Sequence, residues 1–294
     1  DVAITVGTTL TIDEAVDLVG GDLQIDAGGA VTQNAGDTIT AAGLELLGAG
    51  TYSLDEANAV TTLAVNNNGT VSFTDADGLT IGQVTGIAGL TAGITTTSDD
   101  VAITVGTTLT IDEAVDLAAG NLELDSGGAV TQAGTGTITA AGLDLMDAGP
   151  YSLLLGNDID TLAGSTGGNI SVTDINDVSI AAVTTVGLTT PGSLVVTAGG
   201  TIDQPGGDPI DVGGTSEFTV TGAGDVDILS GPNAFDGAVQ FTNNGNIANL
   251  YAQKASGAAP FPDIPAGLNN LTIIWEPNSD IPGGGITVAG TLVL

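Results

Sequence analysis

The chain of 294 residues has no cysteine, no histidine and no arginine, and its one lysine is Lys254. Without cysteine there is no disulfide framework and no thiol chemistry. Triads that need histidine or cysteine, histidine metal sites and arginine clamps are excluded outright, and no phosphate loop can be completed without its lysine. Nor is there a basic stripe to neutralise phosphates, which removes nucleic acid and anionic membrane surfaces as partners. No apolar run approaches the roughly eighteen residues that cross a bilayer. No charged-then-apolar leader stands at the start, so the chain from Asp1 reads as a mature product or an excised segment. Aromatics are also few, with one Trp, three Tyr and five Phe, so a core must be built from small branched side chains.

What the chain does have is glycine, 46 residues of it, with abundant Thr, Val, Ala and Asp and a hydrophobic fraction of 42%. That is too much apolar surface for a disordered acidic tail and too much turn chemistry for helices. The phrase DVAITVGTTLTIDEAVDL runs from Asp1 to Leu18 and returns unchanged from Asp100 to Leu117. Over 1–54 against 100–153 there are 14 differences, and they spare the apolar frame: Ile25 becomes Leu124 and Leu47 becomes Met146. The super-repeat is therefore 99 residues long, 1–99 and 100–198.

Within it, aliphatic pairs two residues apart recur as Leu23 and Ile25, Leu44 and Leu46, Leu63 and Val65, Leu79 and Ile81, then Val101 and Ile103. Alternation at period two is a strand with one buried side, and Gly20-Gly21, Gly28-Gly29 and Asn68-Gly69 punctuate it as corners. A strand module of about twenty residues repeated along a chain predicts an all-β fold, a single parallel β-helix of about fifteen coils. The spacing further predicts that the two copies lie five coils apart on the same side, related by a translation of about 24 Å. GGAVTQ at Gly28 and Gly127, GGTIDQ at Gly199 and the closing DIPGGGITVAGTLVL share one frame, with Gln33, Gln132 and Gln204 in the first three.

These phrases, GGAVTQ, ITAAGLEL, GAGTYSL and NNNGTVSFTDADGLTIG, resemble the repetitive shaft of filamentous-haemagglutinin-type bacterial exoproteins, which leave the cell by two-partner secretion. The resemblance implies a right-handed parallel β-helix, an extracellular or cell-surface location, a role in adhesion or surface scaffolding, and no catalytic residues. The NPNG-like motif of that family's secretion domain does not occur in this sequence.

Charge divides the chain. Of 35 acidic residues only Asp236, Asp263, Glu276 and Asp280 lie beyond residue 230, so 1–230 reads as a strongly acidic shaft and 231–294 as continuing coils. The acids admit two readings. In one they fill turns and outward positions and keep rods soluble and apart. In the other, Asp13, Glu14 and Asp17, their copies Asp112, Glu113 and Asp116, and the pairs Asp75 with Asp77, Asp158 with Asp160 and Asp225 with Asp227 collect Ca²⁺, which needs several oxygen ligands. Beyond residue 230 the segment 254–270, with Pro260, Pro262 and Pro265, predicts a loop extruded between coils. Phe261 and Trp275 either pack together at its base or form, with Lys254, a contact patch for another protomer or a ligand. The sequence thus points to a non-catalytic extracellular rod, an adhesin shaft or surface scaffold able to assemble end to end. The alternatives it leaves are a calcium-dependent carbohydrate or cell-surface binding module and, more remotely, a polysaccharide-degrading β-helix enzyme.

Overall fold

A computed structural model describes residues 1–87, 89–243, 245–276 and 290–293. Among them there is no helix. Parallel strands stack as a β-solenoid of about 13 turns with about 21 residues per turn. The turns are fewer than fifteen because each is longer than twenty residues and a hairpin near residue 88 leaves the coil. The proline-rich stretch 255–269 carries no strand, yet it is a turn of the coil rather than the expected extruded loop: Ser256 bridges Ala234 and Asp263 bridges Gln240 in parallel on the turn beneath. The chain divides into two compact units, Asp1–Gly149 and Pro150–Leu294.

In the first unit, strand Val2–Val6 pairs in parallel with Asp22–Ala27, which pairs with Ile39–Gly48, which pairs with Tyr52–Asn67. Ile4, Ile25, Leu46, Val65, Ile94, Val115 and Ile138 form one column of aligned residues. Leu10, Val31, Tyr52, Val71, Val101, Leu122 and Leu143 form another. Alternate residues point inward, and each inward aliphatic lies on the one beneath it, so Leu23, Ile25, Leu44, Leu46, Leu63 and Val65 are all fully buried. A narrow interior of this kind suits branched side chains, each contributing roughly 1.5–3 kcal/mol on burial.

The two columns correct the expected relation between the copies. Val101, the copy of Val2, lies in the column of Leu10, and Val115, the copy of Val16, lies in the column of Ile4. The copies are therefore four turns and one strand apart, on different sides of the coil, and no pure translation superposes them. The cause is the antiparallel hairpin Gln83–Gly86 with Gly89–Ala92. It is inserted where the coil below has one residue, Ala64: Gly82 N–H donates to Leu63 O, Gly93 N–H to Gly82 O, and Val65 N–H to Gly93 O. Residues that would have completed a fifth turn are spent on this excursion, and Leu79–Ile81, which reads as a full coil, is part of one.

The corners need close backbone approach. A Cβ on Gly50 would strike the carbonyl of Gly29, and one on Gly69 the carbonyl of Gly50. Side chains are excluded along this stack because consecutive turns sit one strand spacing apart.

In the second unit, Leu153, Val172, Val196, Phe218 and Phe241 form one column, and Val178, Ile202, Val226, Leu250 and Leu271 another. Its interior carries an aromatic cluster: Phe218 stacks on Phe241 with centroids 5.9 Å apart and meets Phe235 edge-on at 6.4 Å. The change of composition at residue 230 falls inside this unit. Strand pairing after the proline-rich stretch resumes at Asn270–Trp275, with Ile274 the residue that turns outward. The fourth glycine phrase lies outside the described residues except for 290–293.

Candidate functional site

The glutamines of the GGAVTQ phrase prove to be corner braces. Gln33 Nε2 donates to Asp37 O at 2.8 Å, Gln132 Nε2 to Gly136 O at 2.7 Å and Gln204 Nε2 to Asp208 O at 2.5 Å, four residues on in each case. Gln33 Nε2 also donates to Asn58 Oδ1 of the next strand at 2.7 Å, and Gln204 Nε2 to Asn233 Oδ1 at 2.7 Å. Asn58 is fully buried; its Nδ2 donates to Leu54 O and Thr74 O, and its Oδ1 accepts the Ile39 N–H. Asparagine suits this place because one amide both donates and accepts, closing a corner that the strand ladder leaves open.

Above Asn58 stands Asp75, also buried, whose Oδ2 accepts the Val60 N–H at 2.7 Å and whose Oδ1 accepts the Asp77 N–H at 3.0 Å. The second unit repeats the device with Asn157 and Asp174; the Asp174 oxygens accept the N–H groups of Ile159 and Asn176. Burial raises the pKa of Asp75, and it pushes that of Asp174 up to about 6 with help from Asp158 and Asp160. Asn58, Asn157 and Asn233 were not singled out from the sequence, and only their recurrence after each glutamine phrase could have found them.

The remaining acidic candidates are distributed rather than gathered. Asp17 Oδ1 accepts the Val19 N–H and Asp116 Oδ1 the Ala118 N–H, both as local turns at 3.1 Å. Glu113 accepts from Gln83 Nε2 and Thr135 Oγ1. Asp13, Glu14, Asp77 and Asp112 are exposed. Asp225 accepts the Asn249 N–H and Nδ2, and Asp227 accepts the Leu229 N–H while burial raises its pKa. Among the described residues no group of three or more His, Cys, Asp or Glu is placed to hold a metal ion.

Lys254, Phe261 and Trp275 do come together, but inward. Lys254 is 2% exposed; its Nζ donates to Ala259 O at 2.9 Å and Gly257 O at 3.3 Å and lies 5.5 Å from the centre of the Trp275 ring. Trp275 stacks on Phe235 at 6.1 Å, meets Phe261 edge-on at 6.3 Å and donates Nε1–H to Ala259 O. Burial lowers the lysine's pKa. The group pins the base of the proline-rich stretch and offers no ammonium to a partner, so the contact-patch expectation is corrected: satisfying three buried donors and one large ring inside outweighs exposing them.

A cleft of about 370 Å³ opens on the surface of the second unit, lined by Asp160, Ile175, Asn176, Asp177, Gly199 and Gly200. Asp158 Oδ1 accepts from Asn176 Nδ2 at 3.0 Å, which turns that amide across the cleft's edge. Asp177 Oδ1 accepts the Thr201 N–H at 2.5 Å.

Comparison with known proteins places one stretch. Residues 167–242 match a family described as repeats of unknown function (DUF5649). Those residues take in ten strands of the second unit, from Ile170–Asp174 to Val239–Asn243, and include the GGTIDQ phrase and most of the cleft. Neither a curated protein nor a solved structure matches the chain. The match and the stacked coils agree on a repetitive β-helix protein.

Proposed function

We propose that the chain is a non-catalytic structural segment, the acidic shaft of a bacterial surface or secreted protein of the filamentous-haemagglutinin kind, acting as an adhesin shaft or scaffold. The observation that carries this reading is the use to which the polar side chains are put. The corner amides and buried carboxylates bind backbone groups of neighbouring turns, so the chemistry of the molecule is directed at holding coils in register. The outward acids add a negative surface that keeps such segments apart in solution. End-to-end contact through strand ladders, or continuation through further repeats, extends the same stacking.

Electron microscopy of the purified protein, with and without flanking repeats, tests the scaffold reading: regular thin filaments or rods of uniform width are expected, and compact particles that do not lengthen when repeats are added would refute it. A screen for reducing-sugar release from acidic and neutral polysaccharides addresses the enzyme alternative, and no release is expected.

A further inference from the structure

We infer that the cleft of the second unit is a docking site for a basic peptide segment carrying an aliphatic side chain beside its positive charge. The inference concerns a site and a partner beyond the shaft role and stands whether or not that role holds. It begins from what distinguishes this corner from its counterpart in the first unit. The two long strands Tyr52–Asn67 and Tyr151–Thr166 have nearly the same burial pattern, and inward residues are kept: Leu54 and Leu153, Asn58 and Asn157, Leu63 and Leu162. The outward residues of the corner are replaced as a set. Asp55 and Glu56 give way to Leu154 and Leu155, Ala59 to Asp158, Thr61 to Asp160, Ala76 to Ile175 and Gly78 to Asp177.

In the first unit the acids at this corner are engaged locally: Asp55 accepts from Ser72 Oγ and Glu56 from the Gly36 N–H. In the second unit Leu154, at the position of Asp55, is 58% exposed, and Ile175, at the position of Ala76, is 55% exposed. Isolated exposed aliphatics are ordinary, but Ile175 lines a cleft whose floor is backbone. Gly199 is glycine of necessity, since a Cβ there would strike the Ile175 carbonyl, and a Cβ on Gly200 would displace the Asp177 carboxylate. Over that floor stand Asp160 and Asp177, both exposed, and no group among the described residues hydrogen-bonds the Asp160 carboxylate.

The cleft therefore offers carboxylate oxygens on one flank and aliphatic surface on the other, in a chain whose formal net charge is −34. An anionic or purely apolar ligand would meet uncompensated repulsion or leave the carboxylates desolvated. A lysine or arginine next to Leu, Ile or Val matches both flanks, and the field of the whole chain steers cations toward it.

The test must separate this site from the general attraction of a polyanion for any cation. A variant carrying the first unit's residues, Leu154→Asp with Asp160→Thr and Ile175→Ala, leaves net charge unchanged and uses side chains that already fold at the equivalent corner. The probe is fluorescein-labelled Ala-Ile-Lys-Gly-Ile-Arg-Ala amide, compared with a peptide in which both Ile are Ser, by anisotropy at physiological salt. The expected result is binding to the native protein at least about tenfold tighter than to the variant, about tenfold tighter than the Ser peptide, and amide shift changes at Gly199 and Gly200. Equal affinity for native protein and variant, or for the two peptides, would mean diffuse charge attraction and overturn the proposal. So would binding of maltohexaose at Gly199 and Gly200 by a protein that ignores the peptide.

Discussion

Residues 1–48 and 100–147 share most of their letters and live in different surroundings. Their local hydrogen bonds are the same: Asp1 Oδ1 accepts the Asp22 N–H and Asp100 Oδ1 the Asn121 N–H, while Asp17 and Asp116 each close an identical turn. Their burial is not. Val2 is 40% exposed and Val101 1%, because Val71–Asp75 is seated on the second copy's opening strand and no described strand is seated on the first. The second copy is also turned by one strand around the coil. An eighteen-residue phrase thus specifies strands and corners, whereas the side of the coil it occupies and its degree of cover are set by the residues before it.

The largest expected asymmetry is in core truncation. Ile103→Ala should cost about 3 kcal/mol and Ile4→Ala only about 1, since one is packed between two coils and the other has a single neighbour. Urea denaturation of the two variants measures both, and equal losses would remove the idea that cover decides the energetics of the copies. Next comes the corner amide. Asn58→Ala abandons the N–H and carbonyl groups of two turns, an expected loss of about 2 kcal/mol. A variant as stable as the parent would reduce the Gln–Asn ladder to decoration.

The third comparison is between the buried acids Asp75 and Asp174. Both pKa values are raised by burial, that of Asp174 to about 6, because Asp158 and Asp160 replace Ala59 and Thr61. A raised acid binds more protons folded than unfolded between about pH 4 and pH 6, so its contribution to stability falls as pH rises through that window and is flat above it. Asp174→Asn should flatten the slope by about 1 kcal/mol once solvent screening is allowed for, and Asp75→Asn by less. Stability measured from pH 4 to 7 decides, and a slope unchanged in Asp174→Asn would place the titration elsewhere.

The smallest effect sits at one turn. Val19 and its copy Ala118 both have φ of 51°, a left-handed backbone that a β-branched side chain resists more than alanine does. Val19→Gly should raise stability by about 0.5–1 kcal/mol and Ala118→Gly by less. The melting temperatures of the pair provide the check.

Much of the coil was legible because alternation and glycine corners are local signals. Leu23 with Ile25 or Leu122 with Leu124 announce an inward-facing strand wherever they occur. The misplacement of the second copy came from Leu79 and Ile81, which carry the same local signature as a full turn but belong to a strand interrupted by the hairpin; only the long-range bond from Val65 to Gly93 reveals the interruption. The hydrophobic pattern could not predict that Asn58, Asp75 and Asn157 would be interior, since polar residues are read as corners facing water. Lys254 was read outward for the same reason, although its long apolar stem and three donors fit a ring face and two carbonyls. The cleft of the second unit was invisible because its walls come from residues on different turns.

The burial of Lys254 also bears on how long such a molecule would last outside a cell. Proteases that cut after a basic side chain have one possible target in 294 residues, and in the folded chain its ammonium is held by two carbonyls beneath the Trp275 ring. The largest buried side chains include Tyr52, Tyr151, Phe73, Phe218 and Phe235, so chymotrypsin-like enzymes find few anchors either. A trypsin-like enzyme therefore has to wait for the fold to open before it can digest the chain, and the lifetime of the protein in a protease-rich medium becomes the lifetime of its unfolding.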